Sequence, residues 1–60
     1  MKAKELIKLL KQNGWELARI EGSHHIFKKG QQTVPVPIHG MNQDMRKGTL
    51  NSILKKAGLK

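Results

Sequence analysis

Apolar and polar residues alternate along this chain with two different periods. Near the start, Ala3, Leu6, Ile7 and Leu10 recur at i, i+3, i+4 and i+7, which is one buried stripe of a helix. Leu9 widens the stripe, and Lys2, Lys4, Glu5, Lys8, Lys11 and Gln12 fill the other positions. Asn13-Gly14 ends the helix, with Gly14 suited to the left-handed position after the C-cap. The same spacing returns at Leu50, Ile53, Leu54 and Ala57, followed by Gly58, with Lys55 and Lys56 in the last turn where cations suit the helix dipole. Thr49 or Gly48 is the expected start of this second helix.

Between the helices the period shortens to two. Trp15–Glu21 reads as a first strand with weak alternation, Gly22-Ser23 as a turn, His24–Lys29 as a second strand, Gly30-Gln31 as a turn and Thr33–Ile38 as a third strand. In "TVPVPIHG" the two prolines stand two residues apart, so their missing N–H groups face the same side. Proline donates nothing to a ladder, and that side is therefore an open sheet edge. Val34, Val36 and Ile38 take the alternate positions and share one face, to be covered by the helices. The order α-β-β-β-α predicts a two-layer α+β domain, a three-stranded antiparallel sheet with two helices on one face, spanning residues 1–60 as a single domain. Residues 39–47, "HGMNQDMRK", are a polar connection with no readable conformation.

Sixty residues bury only about 60% of the surface of the unfolded chain, which leaves a small core and no deep cavity. Chemistry on such a domain happens on a surface or in a shallow cleft. Cysteine is absent, so thiolate chemistry and disulfides are excluded, and a reducing cytoplasm is the expected setting. No apolar run approaches the ~20 residues of a membrane span. "MKAKELIKLLKQNG" carries lysines throughout and does not read as a secretory signal.

Charge changes the picture most. Twelve lysines and arginines against four acids give +8, which draws a small domain to polyanions. Nucleic acid ranks first, lysines serving solubility alone second, and an anionic membrane surface third. The aromatics number only two, Trp15 and Phe27, and both suit the core. Base stacking is therefore not expected, and phosphate and 2′-hydroxyl contacts fit better. The few acids are scattered, with no clustering for a two-metal nuclease site and no Gly-rich phosphate loop.

The candidate chemistry lies in "EGSHHIFKKG". Imidazole both accepts and donates protons near neutral pH. Beside RNA, one histidine can deprotonate a ribose 2′-hydroxyl that attacks the adjacent phosphate, so neither a protein nucleophile nor a metal is obligatory. Lysines nearby can stabilise the transition-state charge. His24 and His25 point to opposite faces of a strand, so they do not form one site and are poorly placed to chelate one metal. His39 lies beyond a strand, without cysteine or carboxylate company, and nothing supports a zinc site there. Phe27 argues for one buried face and Ile26 for the other. With Phe27 inward, His24 and Lys28 lie together on the open side, and Lys28 is the best-placed phosphate partner. Gly22 supplies a turn conformation or a close approach to ligand, and Ser23 a phosphate contact or the placement of His24. Arg19 and Lys47 are further phosphate candidates. Each of these residues has an ordinary alternative: a partly buried strand histidine, turn chemistry, a solvated charge. On the residues alone those alternatives carry the greater weight.

"GWELARIEGSHHIFKK", "TVPVPIHG" and "GTLNSILKKAGL" together resemble the HicA family of toxins from bacterial and archaeal toxin–antitoxin pairs, over nearly the full length. The resemblance implies a double-stranded-RNA-binding-like fold of this same element order. It implies a ribosome-independent mRNA interferase that cleaves RNA and inhibits translation, and a HicB antitoxin that binds the toxin and masks its site in a hetero-oligomer. The family's essential histidine follows Gly-Ser, which is His24 here, with Gly22 and Ser23 as the flanking motif. A proline often precedes the "GTL" segment in the family, where this chain has Lys47. The resemblance lifts His24 above its structural alternative. The competing functions are a non-catalytic RNA-binding module of the same fold and a basic protein that serves only an acidic partner.

Overall fold

The computed structural model describes residues 1–60. Its elements are α1 (Ala3–Gln12), β1 (Glu16–Glu21), β2 (His24–Lys29), β3 (Gln32–Pro37) and α2 (Lys47–Lys56). The strands form one antiparallel sheet in the order β1-β2-β3, with β2 in the centre. The α+β order read from the periodicity is the observed one. β2 has the expected bounds, β1 begins one residue later than expected, β3 lies one residue earlier, and α2 begins at Lys47, ahead of the expected Gly48 or Thr49.

Both helices end as their glycines dictate. Gly14 has φ 89° and Gly58 φ 74°. After α1, the N–H of Trp15 donates to the Leu10 carbonyl (3.0 Å) and that of Gly14 to Lys11 (3.2 Å). After α2, Leu59 donates to Leu54 (2.8 Å) and Gly58 to Lys55 (3.2 Å). Each is the paired bond of a Schellman motif, and a backbone with positive φ closes it without strain only at glycine. The motif also turns Trp15 into the core, where it is 1% exposed.

Helix starts work differently. Neither N-cap residue, Lys2 or Arg46, makes a side-chain cap bond. The N–H groups of Ala3 and Lys4 instead donate to the carbonyls of Gln43 (2.8 Å) and Met41 (3.0 Å), and Met45 N–H donates to the Met1 carbonyl (3.0 Å). The connection that sequence left unread is thus strapped across the start of α1, where orphan helix donors need acceptors. An exposed Lys2–Asp44 ion pair (3.2 Å) lies alongside. The strap buries Met45 in the core, a residue no periodicity singled out.

The core joins Ala3, Leu6, Ile7 and Leu10 of α1 to Phe27, Val34, Val36 and Ile38 from the sheet and Ile53 and Ala57 from the second helical segment, with Trp15 and Met45. Leu50, Leu54 and Leu59 pack half-buried against it. All of these apolar residues lie on one side of the sheet, and the other side is open.

β1 stands apart, since all six of its residues are exposed. Leu17 pairs with Phe27 and Arg19 with Ile26, so the register slips by one residue at Ala18. That bulge explains the weak alternation. Leu17 and Ile20, three residues apart, both end up opposite helix-side residues of β2, yet remain 42% and 56% exposed because the helices do not extend over this edge.

Candidate active site

The hairpin joining β1 to β2 decides where His24 stands. Gly22 has φ 60°, Ser23 has negative φ, and the loop is two residues long. These are the signs of a type II′ turn, whose first central residue has to be glycine. A Cβ on Gly22 would meet no atom within 4 Å, so the backbone conformation and not crowding requires glycine here. Gly30 repeats the device at the β2–β3 turn.

A two-residue turn fixes register, and register fixes faces. His24 pairs with Glu21 on one side and Pro37 on the other; Ile26 pairs with Arg19 and Pro35; Lys28 pairs with Glu16 and Thr33. These residues form the open face. His25 and Phe27 face the helices with Val36 and Val34. Phe27 is therefore inward. Ile26 is nonetheless only 8% exposed, because its own row of neighbours shields it from the open side.

His24 is exposed, and its ring makes no hydrogen bond within the chain. His25 is half-buried, with its Nδ1 enclosed and unpartnered. The adjacent histidines thus separate into a free imidazole on the open face and a ring wedged at the edge of the core.

The open face is nearly neutral. Glu16 and Glu21 offset Arg19 and Lys28, and Arg19 is ion-paired to Glu21. The excess positive charge resides in the helices and the strap. Lys28 shares the face of His24, but four residues of extended strand separate their Cα atoms by about 13 Å, wider than one phosphate. Lys28 lines a hollow at the far end of the sheet with Gly14, Glu16 and Lys29. Arg19, Gly22 and Ser23 are at the His24 end, whereas Lys47 opens α2.

A second hollow adjoins the His24 end. Pro37, His39, Gln43, Met45, Arg46 and Thr49 enclose a cleft of ≈ 370 Å³. Pro37, one wall, is the residue opposite His24. Sequence reasoning passed over His39 and Arg46 in this cleft. The signal was present in the Gly30-Gln31 turn, since a two-residue loop there pairs His24 with Pro37 and carries His39 to the same end. No three His, Cys, Asp or Glu side chains come together as a metal-binding group, and no helix is long and apolar enough to cross a membrane.

No curated protein matches the chain. A family model described as HicA toxin of bacterial toxin–antitoxin matches residues 3–59, from the first residue of α1 to the Schellman turn that closes α2. The chain belongs to the HicA family, and is the toxin member of a toxin–antitoxin pair.

Proposed function

We propose that this toxin is an endoribonuclease, an mRNA interferase that cleaves mRNA in the cytoplasm and so arrests translation and growth, with His24 as the general base. One observation carries the reading: the histidine that follows Gly-Ser is held by a glycine-dependent turn on the open face, with its ring unbonded, in a chain of this family. His24 takes the proton of a ribose 2′-hydroxyl, and the 2′-oxygen attacks the adjacent phosphorus. The nucleophile belongs to the RNA, so no metal or other cofactor is needed to supply one. Gly22 and Ser23 bring backbone close to the RNA, and Arg19, Lys28 and Lys47 contact phosphates. At about 13 Å, Lys28 meets a phosphate further along the strand than the one His24 attacks. A HicB-type antitoxin neutralises the toxin by covering this face. An anionic membrane has no part in the reading.

The test is incubation of the purified chain with RNA in excess chelator. Cleavage by the wild type, absent in His24→Ala, is expected. Binding of RNA without cleavage would leave a non-catalytic RNA-binding module in its place, and activity restored only by Mg²⁺ would contradict the metal-free route.

A further inference from the structure

Cleavage through the 2′-hydroxyl moves two protons, and the reading above accounts for one of them. The 2′-oxygen loses a proton as it attacks, and the departing 5′-oxygen has to gain one. In that reading His24 performs the first transfer.

The groups around His24 narrow the choice for the second. Glu21 is its cross-strand neighbour, but that carboxylate is engaged by Arg19. Lys28 is about 13 Å along the strand. On the other side, the β2–β3 ladder continues one residue beyond β3, since the Ile38 N–H donates to the Ser23 carbonyl at 2.7 Å. Ile38 is buried on the helix side. Its neighbour Pro37 therefore lies on the side of His24, and Pro37 and His39 line the same cleft. His39 follows Ile38 at a bend where the chain leaves the ladder, two residues past Pro37, the cross-strand partner of His24. The His39 backbone N–H is fixed by Gln43 Oε1 at 2.6 Å, whereas its exposed ring makes no hydrogen bond within the chain. Arg46 contributes a guanidinium to the cleft, without a carboxylate partner.

Resting on the ribonuclease reading, we infer that His39 is the second proton-transfer residue of the site, and that the cleft it shares with Arg46 receives the 5′-oxygen side of the scissile phosphodiester. His24 accepts the 2′-hydroxyl proton as the 2′-oxygen–phosphorus bond forms. The phosphorus–5′-oxygen bond breaks, and His39 donates its proton to that oxygen. The products are a 2′,3′-cyclic phosphate and a 5′-hydroxyl. One imidazole has gained a proton and the other has lost one, and exchange with water restores both. Arg46 offsets charge on the phosphoryl oxygens during the transfer.

The test compares two RNAs of the same sequence, one with ordinary oxygen and one with a 5′-bridging sulfur at the mapped cleavage position. A thiolate departs without a proton, so only the oxygen substrate needs the acid. His39→Ala is expected to slow cleavage of the oxygen RNA by about 10²-fold or more, and to cleave the sulfur RNA within about tenfold of the wild-type rate. His24→Ala is expected to lose both. His39→Gln, with matching circular dichroism and unfolding midpoint, is the second variant should the alanine change perturb the loop. Unchanged cleavage of the oxygen RNA by a folded His39 variant, or equal loss on both RNAs, overturns the inference while leaving the ribonuclease reading in place. Failure of the wild type to cleave either RNA overturns that reading, and this inference with it.

Discussion

His24 and Pro37 face one another across β2 and β3, at the end of the sheet where the open face meets the cleft under α2. The even-numbered amides of β3 point toward β2, as the Ile38–Ser23 bond shows, so the missing N–H groups of Pro35 and Pro37 lie on the free edge. The prolines therefore cost the ladder nothing, and they keep the edge beside His24 from pairing with another strand. A single register thus supports His24, protects its flank and sets Pro37, a wall of the cleft that holds His39 and Arg46, opposite it.

Replacing His24 by alanine removes a surface imidazole with no internal hydrogen bond. Cleavage is expected to fall by about 10²–10⁴-fold, the usual contribution of a general base. The unfolding midpoint in urea should stay at the wild-type value. A large fall in that midpoint would mean that the loss of activity reports folding.

Gly22→Ala places a Cβ on a backbone with φ 60°. The expected cost is about 1–3 kcal/mol of stability, read from urea unfolding. Cleavage should fall as well, because the turn that presents His24 has to rearrange. The same change at Gly48, inside α2 and without positive φ, has open space around it and should be neutral or mildly stabilising.

His25→Leu removes the enclosed, unpartnered Nδ1 and keeps an apolar body at the edge of the core. An unsatisfied buried polar atom costs about 1–3 kcal/mol, so the variant should be as stable as the wild type or more so. RNA cleavage should remain within about threefold, as for a substitution away from the reacting groups. Loss of activity in a stable His25→Leu protein would move the chemistry to the other face of β2.

Arg46→Ala with Lys47→Ala tests where the RNA runs. The open face is close to neutral, so beyond Arg19 and Lys28 the salt-dependent phosphate contacts should come from the strap and α2. Each lost phosphate contact should reduce the slope of log K against log salt by about 0.7 for single-stranded RNA, measured by fluorescence anisotropy. An unchanged slope would place the backbone of the RNA away from the strap and the start of α2.

Much of this is legible in the sequence. The helix stripes, both Schellman glycines and the proline-marked edge follow from local rules of spacing and φ, and those rules act within a few residues. The split of His24 from His25 follows from strand alternation in the same way. Two features were not legible. The bulge at Ala18 breaks the period in β1, so Leu17 and Ile20 gave a confused signal. The strap over α1 is held by backbone bonds to Met41, Gln43 and Met1, which leave no side-chain signature, and Met45 entered the core unannounced. The separation of Lys28 from His24 is legible, since four residues of strand span about 13 Å, but reading the shared face alone suggests proximity. His39 was dismissed for want of metal-ligand company, although the Gly30-Gln31 turn already carried its segment to the His24 end of the sheet.

The measurement closest to the central claim is the chemistry of the ends that the purified wild-type protein leaves on RNA in excess chelator. The account predicts 5′-hydroxyl fragments, each upstream partner ending in a 2′,3′-cyclic phosphate or the 3′-phosphate derived from it, and none of these with His24→Ala. Fragments carrying 5′-phosphate and 3′-hydroxyl ends, or wild-type ends from the His24→Ala protein, would contradict it.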